Sequence, residues 1–270
     1  MNELRLSEIW IYPIKSLGGI RVEQAKVLQK GLEYDRRWML VDENGMFMTQ
    51  RTSPALALFK LNIEDNALRI THSQLPIIHN TPLQPTSSEP ESNVIIWNDT
   101  VRGIEVDPAT SAWFSDTLGM KCKLIYFPEK NQRPVDPNYS IQHEQVSLAD
   151  AYPFLIIGQG TLDHLNTKLD VKLPMNRFRP NFVFTGGTPH VEDSWRNFTI
   201  GKNRFVGVKP CARCILPNVN QETAEKGDEP LRTLATYRKQ ENKILFGQNL
   251  LAVDHLEVRQ GDVIMVNPPA

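Results

Sequence analysis

Three things are scarce in this chain of 270 residues: cysteine, long apolar runs and an excess of charge of one sign. Its cysteines, Cys122, Cys211 and Cys214, are too few and odd in number for a disulfide framework, which favours a reducing compartment and a cytoplasmic protein. The longest apolar stretches, such as residues 152–158, are far shorter than the roughly 18 to 20 residues of a membrane-spanning helix. We therefore expect neither a transmembrane segment nor a disulfide-stapled secreted fold.

The charge of the chain is nearly balanced, with 30 basic and 31 acidic side chains and a formal net charge of −1. Proteins that bind nucleic acid or anionic membranes normally carry a basic excess. We therefore expect no nucleic-acid binding and no membrane association, and any anion site must be a local cluster. The composition, 40% hydrophobic and 23% charged, is that of a globular protein with one large domain or two modest ones.

Many short apolar and β-branched runs end in turn residues, which predicts a mainly β protein with a few helices. Hairpins are predicted within residues 38–49, around an Asn-Gly turn, and within residues 59–71, around an Asp-Asn turn. The last part of the chain, residues 250–266, predicts two strands that pair with each other across a Gln-Gly-Asp turn.

Two helices are predicted among these strands. One starts at the capping residue Asp107 followed by Pro108, and the other starts at Thr161 and carries a leucine stripe. A polar, proline-containing segment between them indicates a domain boundary. We therefore expect an N-terminal β-rich domain in residues 1–127 and a second β domain in residues 128–270.

The pair Cys211 and Cys214 is the sharpest local feature, because a two-residue spacer lets both sulfurs face one site. A structural zinc site needs about four ligands, and the chain offers too few nearby. A thioredoxin-like redox pair opens a helix, whereas this pair follows a strand-like run and Pro210. Two small buried side chains in a loop are the plain alternative. The motif alone leaves these interpretations open.

Basic residues stand beside turn-forming segments at three places. Lys15 and Ser16 precede a Gly-Gly pair, Arg36 belongs to an Arg-Arg pair, and Arg179 precedes a proline. Each segment could offer charged donors to a phosphate or another oxyanion, and arginine suits bidentate contacts. Taken alone, each of these segments is more often a solvated surface charge. The sequence contains no recognised catalytic triad and no glycine-rich dinucleotide motif, so it gives no support to a hydrolase or to a NAD or flavin domain.

Seven motifs occur in an order that resembles one protein family. They are Tyr12-Pro13-Ile14-Lys15-Ser16, Asp35-Arg36-Arg37-Trp38, Phe178-Arg179-Pro180-Asn181, Glu192-Asp193-Ser194-Trp195, Lys209-Pro210-Cys211-Ala212-Arg213-Cys214, Glu229-Pro230-Leu231 and Phe246-Gly247-Gln248-Asn249. From about residue 9 to residue 266 the chain resembles the MOSC proteins with an N-terminal MOSC-associated β-barrel domain. It is similar to their bacterial YcbX type, without a ferredoxin domain, and to the mitochondrial amidoxime-reducing component. The resemblance implies a MOSC β-barrel domain in residues 128–270.

The resemblance also implies a bound molybdenum cofactor, Mo-molybdopterin, whose phosphate the protein must neutralise. Cys214 matches the family's metal-ligating thiolate, which makes it the expected catalytic residue and metal ligand, since a soft sulfur donor suits this sulfur-rich centre. Arg213 is expected to keep that thiolate ionised. Three positions depart from the family pattern. Asn249 stands where some relatives have a tyrosine, and Ala151 and Tyr152 stand where relatives have a pair of hydroxyl-bearing residues. The positions implied to bind the cofactor are Lys15, Ser16, Arg36, Arg179, Arg213 and Asn249.

The activity implied by the resemblance is that of an oxidoreductase that reduces N-hydroxylated compounds, such as amidoximes, hydroxylamines or N-hydroxylated base analogues, in a detoxifying role. The alternatives are a sulfur carrier or sulfurtransferase, and a carrier of the cofactor without turnover. An iron–sulfur cluster of the plant ferredoxin type needs four cysteines, and this chain has three. We therefore expect the electrons to come from a separate ferredoxin, cytochrome or flavoprotein reductase.

Overall fold

The computed structural model describes residues 3–86, 88 and 90–266, and these residues confirm the predicted mainly β fold. In chain order the strands are β1 (Arg5–Ile11), β2 (Ile20–Val22), β3 (Gln24–Leu28), β4 (Gly31–Leu32), β5 (Trp38–Val41), β6 (Phe59–Glu64), β7 (Ala67–His72), β8 (Ile78–Pro82), β9 (Ser92–Ile96), β10 (Asp99–Glu105), β11 (Lys123–Tyr126), β12 (Phe154–Gly158), β13 (Phe182–Thr185), β14 (Asn197–Ile200), β15 (Asn203–Ala212), β16 (Lys239–Gln240), β17 (Lys243–Ala252), β18 (Glu257–Arg259) and β19 (Ile264–Val266).

Helices are few and short. They are α1 (Pro108–Leu118), α2 (Gln159–Asn166) and α3 (Leu231–Ala235), with 3₁₀ turns at Pro54–Leu58, Met175–Arg177, Val191–Ser194 and Leu216–Asn218. Across the described part of the chain, none of the helices has the length and apolar character needed to cross a membrane.

The largest sheet has nine strands. Eight of them follow the order β19-β14-β15-β17-β12-β13-β1-β2, and the short strand β16 pairs with β17 outside this order. The sheet's first strand, β1, pairs antiparallel with β13, so the N-terminal strand lies in the same sheet as strands from the second half of the chain. Apolar side chains such as Ile9, Phe154, Phe182 and Leu250 form its core cluster. The predicted boundary between residues 127 and 128 stays a prediction, and strands from both sides of it share this sheet.

Three smaller sheets have the orders β5-β11-β10-β9, β6-β7-β8 and β18-β3-β4. The hairpin predicted within residues 59–71 is confirmed, with both turn residues, Asp65 and Asn66, at positive φ. The other predicted pairings were partly wrong. The hairpin predicted within residues 38–49 is present in a short form: Val41 bridges Phe47 in antiparallel fashion, the Asp42 amide donates to the Met46 carbonyl at 2.9 Å, and the Met48 amide donates to the Leu40 carbonyl at 2.8 Å. Strand β5 pairs in addition with β11, a pairing that was not predicted from the sequence. Strands β18 and β19 pair with β3 and β14 rather than with each other.

Both predicted helices are present, and each packs against strands of a sheet. Helix α1 is capped at its start by the Asp107 carboxylate, which accepts a hydrogen bond of 2.7 Å from the Thr110 amide, and it ends at Gly119 with a φ of 65°. Helix α2 begins two residues before the predicted Thr161. Its buried leucines belong to a core cluster with Phe178, which also lines the pocket described below.

Candidate functional site

All seven residues that the sequence analysis selected line a single pocket, although up to 234 positions separate them in the chain. They are Lys15, Ser16, Arg36, Arg179, Arg213, Cys214 and Asn249. Residues from both halves of the chain therefore meet at one place. The pocket is also lined by Arg51, Asp150, Tyr152 and Cys211, among others.

Two backbone segments on the basic side of the pocket are hydrogen bonded to each other. The Lys15 amide donates to the Trp38 carbonyl at 2.7 Å, and the Arg36 amide donates to the Tyr12 carbonyl at 3.0 Å. Because the segment after β1 and the segment before β5 are joined in this way, Lys15 and Arg36 lie on neighbouring stretches of chain. Their proximity follows from this backbone pairing.

Three of the seven residues have left-handed backbone conformations. The φ angles are 70° at Ser16, 50° at Arg36 and 55° at Arg179. A residue with a Cβ atom in this region costs roughly 1 to 2 kcal/mol relative to the right-handed region. Such strain persists only where the surrounding structure fixes it, and it is concentrated at functional sites. The strain at Ser16, Arg36 and Arg179 therefore points to the pocket as a place where position matters more than local stability.

A buried tyrosine separates two arginines of the pocket. The guanidinium carbons of Arg36 and Arg179 lie 4.3 and 4.2 Å from the centroid of the Tyr12 ring, which is within the range of cation–π attraction. The Tyr12 hydroxyl donates to the Pro180 carbonyl at 3.1 Å. Burial raises the pKa of Tyr12 against the lowering effect of both arginines, so the phenol keeps its proton. One aromatic ring thus orients two cations.

A buried aspartate, Asp35, bonds both to Arg36 and to the backbone of Tyr12. Asp35 is fully buried, accepts two hydrogen bonds of 2.8 and 2.6 Å from one Arg36 nitrogen, and also accepts the Tyr12 amide at 2.8 Å. The second terminal nitrogen of Arg36 donates to the Arg179 carbonyl at 3.1 Å, and Arg179 donates to the Leu17 carbonyl at 2.6 Å. Burial lowers the pKa of Arg179 to about 10, which leaves it charged at neutral pH.

The buried Lys15 forms an ion pair that the sequence did not suggest. Its Nζ donates to the Asp150 carboxylate at 2.6 Å and to the Leu148 carbonyl at 2.9 Å. Burial lowers the pKa of Lys15, and Asp150 acts in the opposite direction. Burial tends to raise the pKa of Asp150, but the Lys15 charge and a hydrogen bond from Trp97 outweigh it and hold that pKa below its usual range. At neutral pH Asp150 is therefore a carboxylate.

The two thiols of the pocket have different surroundings. Cys211 lies at the end of β15 and is half-buried, whereas Cys214 is exposed. Arg213 was expected beside Cys214, but its guanidinium donates to the Cys211 sulfur at 3.2 Å and to the Phe178 carbonyl at 2.7 Å. The Arg213 Nε is buried and has no hydrogen-bond partner in the described part of the chain.

The two remaining predicted residues, Asn249 and Ser16, are held by neighbouring polar groups. The Asn249 amide donates to the carbonyl of Lys209, its partner across β15 and β17, at 3.2 Å. The Ser16 carbonyl accepts a hydrogen bond of 2.7 Å from Gln50, and the side chains of Gln50 and Gln221 bond to each other. Among the described residues, neither the Asn249 side-chain oxygen nor the Ser16 hydroxyl has a hydrogen-bond partner, so both can bond a ligand.

Positive charge exceeds negative charge in the lining of the pocket. The cationic lining residues are Lys15, Arg36, Arg51, Arg179 and Arg213, and Asp150 is the carboxylate among the described lining residues. A site lined mainly by one sign of charge attracts a ligand of the other sign. The pocket is therefore suited to an anion that accepts several hydrogen bonds.

Four residues of this site fell outside the predicted set: Tyr12, Asp35, Arg51 and Asp150. The first two stand in motifs that the resemblance used, so adjacency to Lys15 and Arg36 was the available signal. The pairing of Asp150 with Lys15, across 135 positions, has no signal in a single sequence.

The acidic motif around residue 193 lies outside the pocket. Glu192 is buried, and its carboxylate accepts the Gly158 amide at 3.1 Å and the Thr161 hydroxyl at 3.0 Å. Asp193 pairs with Arg238 at 2.5 Å. These contacts tie helix α2 and the strand before it to the turn that carries the acidic residues.

Comparison with known proteins identifies the domains of the chain. A family described as the MOSC N-terminal beta barrel domain matches residues 3–121, and the MOSC domain family matches residues 143–265. The chain is 32% identical over 243 residues to mitochondrial amidoxime-reducing component 1 of Mus musculus, covering 86% of this chain and 71% of the relative. Against the human protein of that name the identity is 29%, over 96% of this chain and 82% of the relative.

A second group of relatives carries a different name. The chain is 32% identical to the molybdenum cofactor sulfurase of Arabidopsis thaliana, over 94% of this chain and 34% of that protein. The chain thus spans about a third of the length of the sulfurase. Similarity to both groups extends over most of the present chain.

Proposed function

We propose a function from the premise that this chain belongs to the MOSC family, with a MOSC N-terminal beta barrel domain followed by a MOSC domain. The proposed function is that of a molybdenum-cofactor-dependent oxidoreductase that reduces N-hydroxylated compounds. The observation that carries it is the convergence of cationic side chains and the exposed Cys214 on one pocket. The amidoxime-reducing relatives supply the class of reaction.

The residues present fit such a cofactor. A pterin phosphate needs several charged donors, and the pocket has an excess of them. The buried Arg213 Nε, which has no partner among the residues that the structure describes, offers a further donor. The described residues contain no group of three or more histidine, cysteine, aspartate or glutamate side chains that could hold a metal ion. A metal held by Cys214 would therefore need its other ligands from a cofactor, and the dithiolene of molybdopterin would provide them.

Each part of the pocket has a role in this proposal. Lys15, Arg36 and Arg179 neutralise the phosphate and hold the pterin, and the Tyr12 ring fixes the positions of the two arginines. Ser16 and Asn249 hydrogen bond to the pterin. Cys214 supplies a soft sulfur ligand to the metal.

When bound, the molybdenum cofactor supplies the two-electron chemistry that removes oxygen from nitrogen. The chain's own contribution is to bind the cofactor, to keep a positive field around it and to orient the substrate. A single pair of nearby thiols cannot hold an iron–sulfur cluster, so a separate ferredoxin, cytochrome or flavoprotein delivers the electrons. Contacts of this kind are typically small and transient. A cytoplasmic location remains part of the proposal.

The alternative is a sulfur-transferring function, which the sulfurase relatives favour. In that case Cys214 carries sulfur as a persulfide. The thiols of the pocket are compatible with it, because Cys214 is exposed. The excess of positive charge favours cofactor binding over this alternative.

The test uses protein purified from cells that make the cofactor. We expect stoichiometric molybdenum, no reduction of benzamidoxime with NADH alone, and reduction once a separate redox protein and its reductase are added. A persulfide on Cys214 in protein without molybdenum would support the sulfur carrier. Molybdenum binding without turnover by any competent donor would support a cofactor carrier, and robust turnover with NADH and no second protein would contradict the separate donor.

A further inference from the structure

Arg51 and Trp97 form a stacked pair at the pocket. Arg51 lines the pocket, and its guanidinium carbon lies 4.0 Å from the centroid of the Trp97 ring and 5.7 Å from that of Phe47. The two aromatic rings are 5.2 Å apart. The Trp97 side chain is large and apolar, yet 41% of the residue is exposed. This pair therefore presents a planar cation and an aromatic surface beside the pocket.

The Arg51 guanidinium differs from that of Arg36 because no carboxylate of the described residues lies within ion-pair distance of it, although its charge and that of Asp150 act on each other across the pocket. No ion pair of its guanidinium is found within the described residues, and its one side-chain hydrogen bond, to the Thr49 hydroxyl, is 3.4 Å long. Arg36, by comparison, is paired with the buried Asp35. Arg51 therefore keeps a fork of free donors, which is the geometry that recognises a carboxylate or a phosphate.

The position of Trp97 in the chain is unusual for its size. It is the first residue of the two-residue turn between β9 and β10, and its φ is 56°. Glycine, asparagine or aspartate normally fill such a position, because a bulky residue is strained there. The ring is also fixed at one edge, since its Nε1 donates to the Asp150 carboxylate at 3.2 Å. A strained, exposed and oriented aromatic residue beside a pocket indicates a binding role.

We propose that Arg51 and Trp97 form a substrate subsite that selects planar aromatic N-hydroxylated compounds carrying an anionic group. This inference rests on the proposed function. The Trp97 ring and the Arg51 plane stack on the aromatic part of the substrate, and the free guanidinium donors pair with its carboxylate or phosphate. Lys15, Arg36 and Arg179 stay with the cofactor, so the two anions bind to different cations of one pocket.

The test compares the binding of two probes that differ by one charge, benzamidoxime and 4-carboxybenzamidoxime. Titration calorimetry uses the molybdenum-loaded protein without a reductant, so no turnover interferes. We expect the carboxylated probe to bind at least about tenfold more tightly, as loss of one charge-assisted hydrogen bond corresponds to this factor or more. Arg51→Met should abolish this preference, and Trp97→Leu should weaken the binding of both probes. Trp97→Phe, which keeps an aromatic ring, should retain most of the affinity.

Arg69→Met is the matched control, because Arg69 lies on β7 outside the pocket lining, and it should leave both affinities unchanged. Equal affinities for the two probes, no measurable binding of either, or an unchanged preference in Arg51→Met would overturn the subsite. Loss of molybdenum in Arg51→Met would also overturn it, because Arg51 would then hold the cofactor. If the charge preference is present but added reductant and redox protein give no turnover, the subsite stands and the proposed reductase function fails.

Discussion

Two regions of the pocket differ in how many hydrogen bonds hold their side chains in place. One is the basic side, formed by Lys15, Arg36 and Arg179, and the other is the segment at the end of β15 that carries the two thiols. Asp35, Arg36, Arg179 and Tyr12 are bonded to one another or to buried carbonyl groups. Cys214 is exposed, and no hydrogen bond to its sulfur is found in the described residues. The internal hydrogen bonds therefore fix the basic side of the pocket without a ligand, whereas the Cys214 thiol is left available. Substitutions on the basic side should therefore change the free energy of unfolding, and substitution of Cys214 should change the molybdenum content.

The largest effect on stability is expected from Asp35→Ala. The substitution leaves the largely buried Arg36 guanidinium, 12% of whose side chain is exposed, without its carboxylate, and the Tyr12 amide without its acceptor. Breaking a buried ion pair by removing one partner costs about 3 to 5 kcal/mol. Urea unfolding followed by tryptophan fluorescence measures the change in the free energy of unfolding.

Glu222→Gln is the control for this prediction. Glu222 pairs with Lys60 at 3.0 Å, but 67% of its side chain is exposed, so its removal should cost about 1 kcal/mol or less. If Asp35→Ala costs no more than Glu222→Gln, the basic side of the pocket is not stabilised by its internal pairing.

A smaller effect is expected from Tyr12→Phe, which keeps the ring between the two arginines and removes the hydroxyl. The Pro180 carbonyl then loses its buried donor, at a cost of about 1 to 3 kcal/mol in the free energy of unfolding. Tyr237→Phe is the matched control, because the buried Tyr237 hydroxyl has no partner within the described residues. That control should be neutral or stabilising, and equal losses in both variants would contradict the role of the hydrogen bond.

The contribution of the Lys15–Asp150 pair to the free energy of unfolding should depend on pH, and the direction of that dependence is a further test of a smaller effect. The pKa of Asp150 lies below its usual value in the folded protein, so this carboxylate stabilises the fold above pH about 4 and loses that contribution as the pH falls further. The difference in unfolding free energy between the wild type and Asp150→Asn should therefore be larger at pH 7 than at pH 3. A difference that grows on acidification would have the wrong sign.

The smallest effect on stability is expected from Cys214→Ala. The thiol is exposed, and a surface substitution away from special features usually changes the free energy of unfolding by no more than about 0.5 kcal/mol. The same urea titration measures it on cofactor-free protein. A loss comparable to that of Asp35→Ala would remove the contrast between the two sides of the pocket.

Local features of the fold could be predicted from the sequence, because nearby residues determine them. The Asp107 cap, the helix after it and the Asp65-Asn66 turn depend on side chains within a few positions. Partners distant in sequence could not be predicted in the same way. Strand pairing across the chain, such as β18 with β3, depends on burial of a common face, which a single strand does not encode.

The candidate site shows the same division. The residues of the pocket were selected through a family resemblance, and composition and spacing alone left the two cysteines ambiguous. The structure adds what no motif contains, namely the Lys15–Asp150 pair, the Tyr12 ring between two arginines and the contact of Arg213 with Cys211. Each depends on side chains that meet only after the sheets have formed.

The measurement that tests the central claim most directly is the molybdenum content of two single variants, Cys214→Ala and Cys211→Ala, purified from cofactor-producing cells beside the wild type. We expect Cys214→Ala to lose its molybdenum and Cys211→Ala to retain most of it, because the exposed Cys214 is the proposed metal ligand and Cys211 contacts Arg213 instead. Full molybdenum content in Cys214→Ala, with sulfur coordination from the protein still visible by X-ray absorption, would contradict the account.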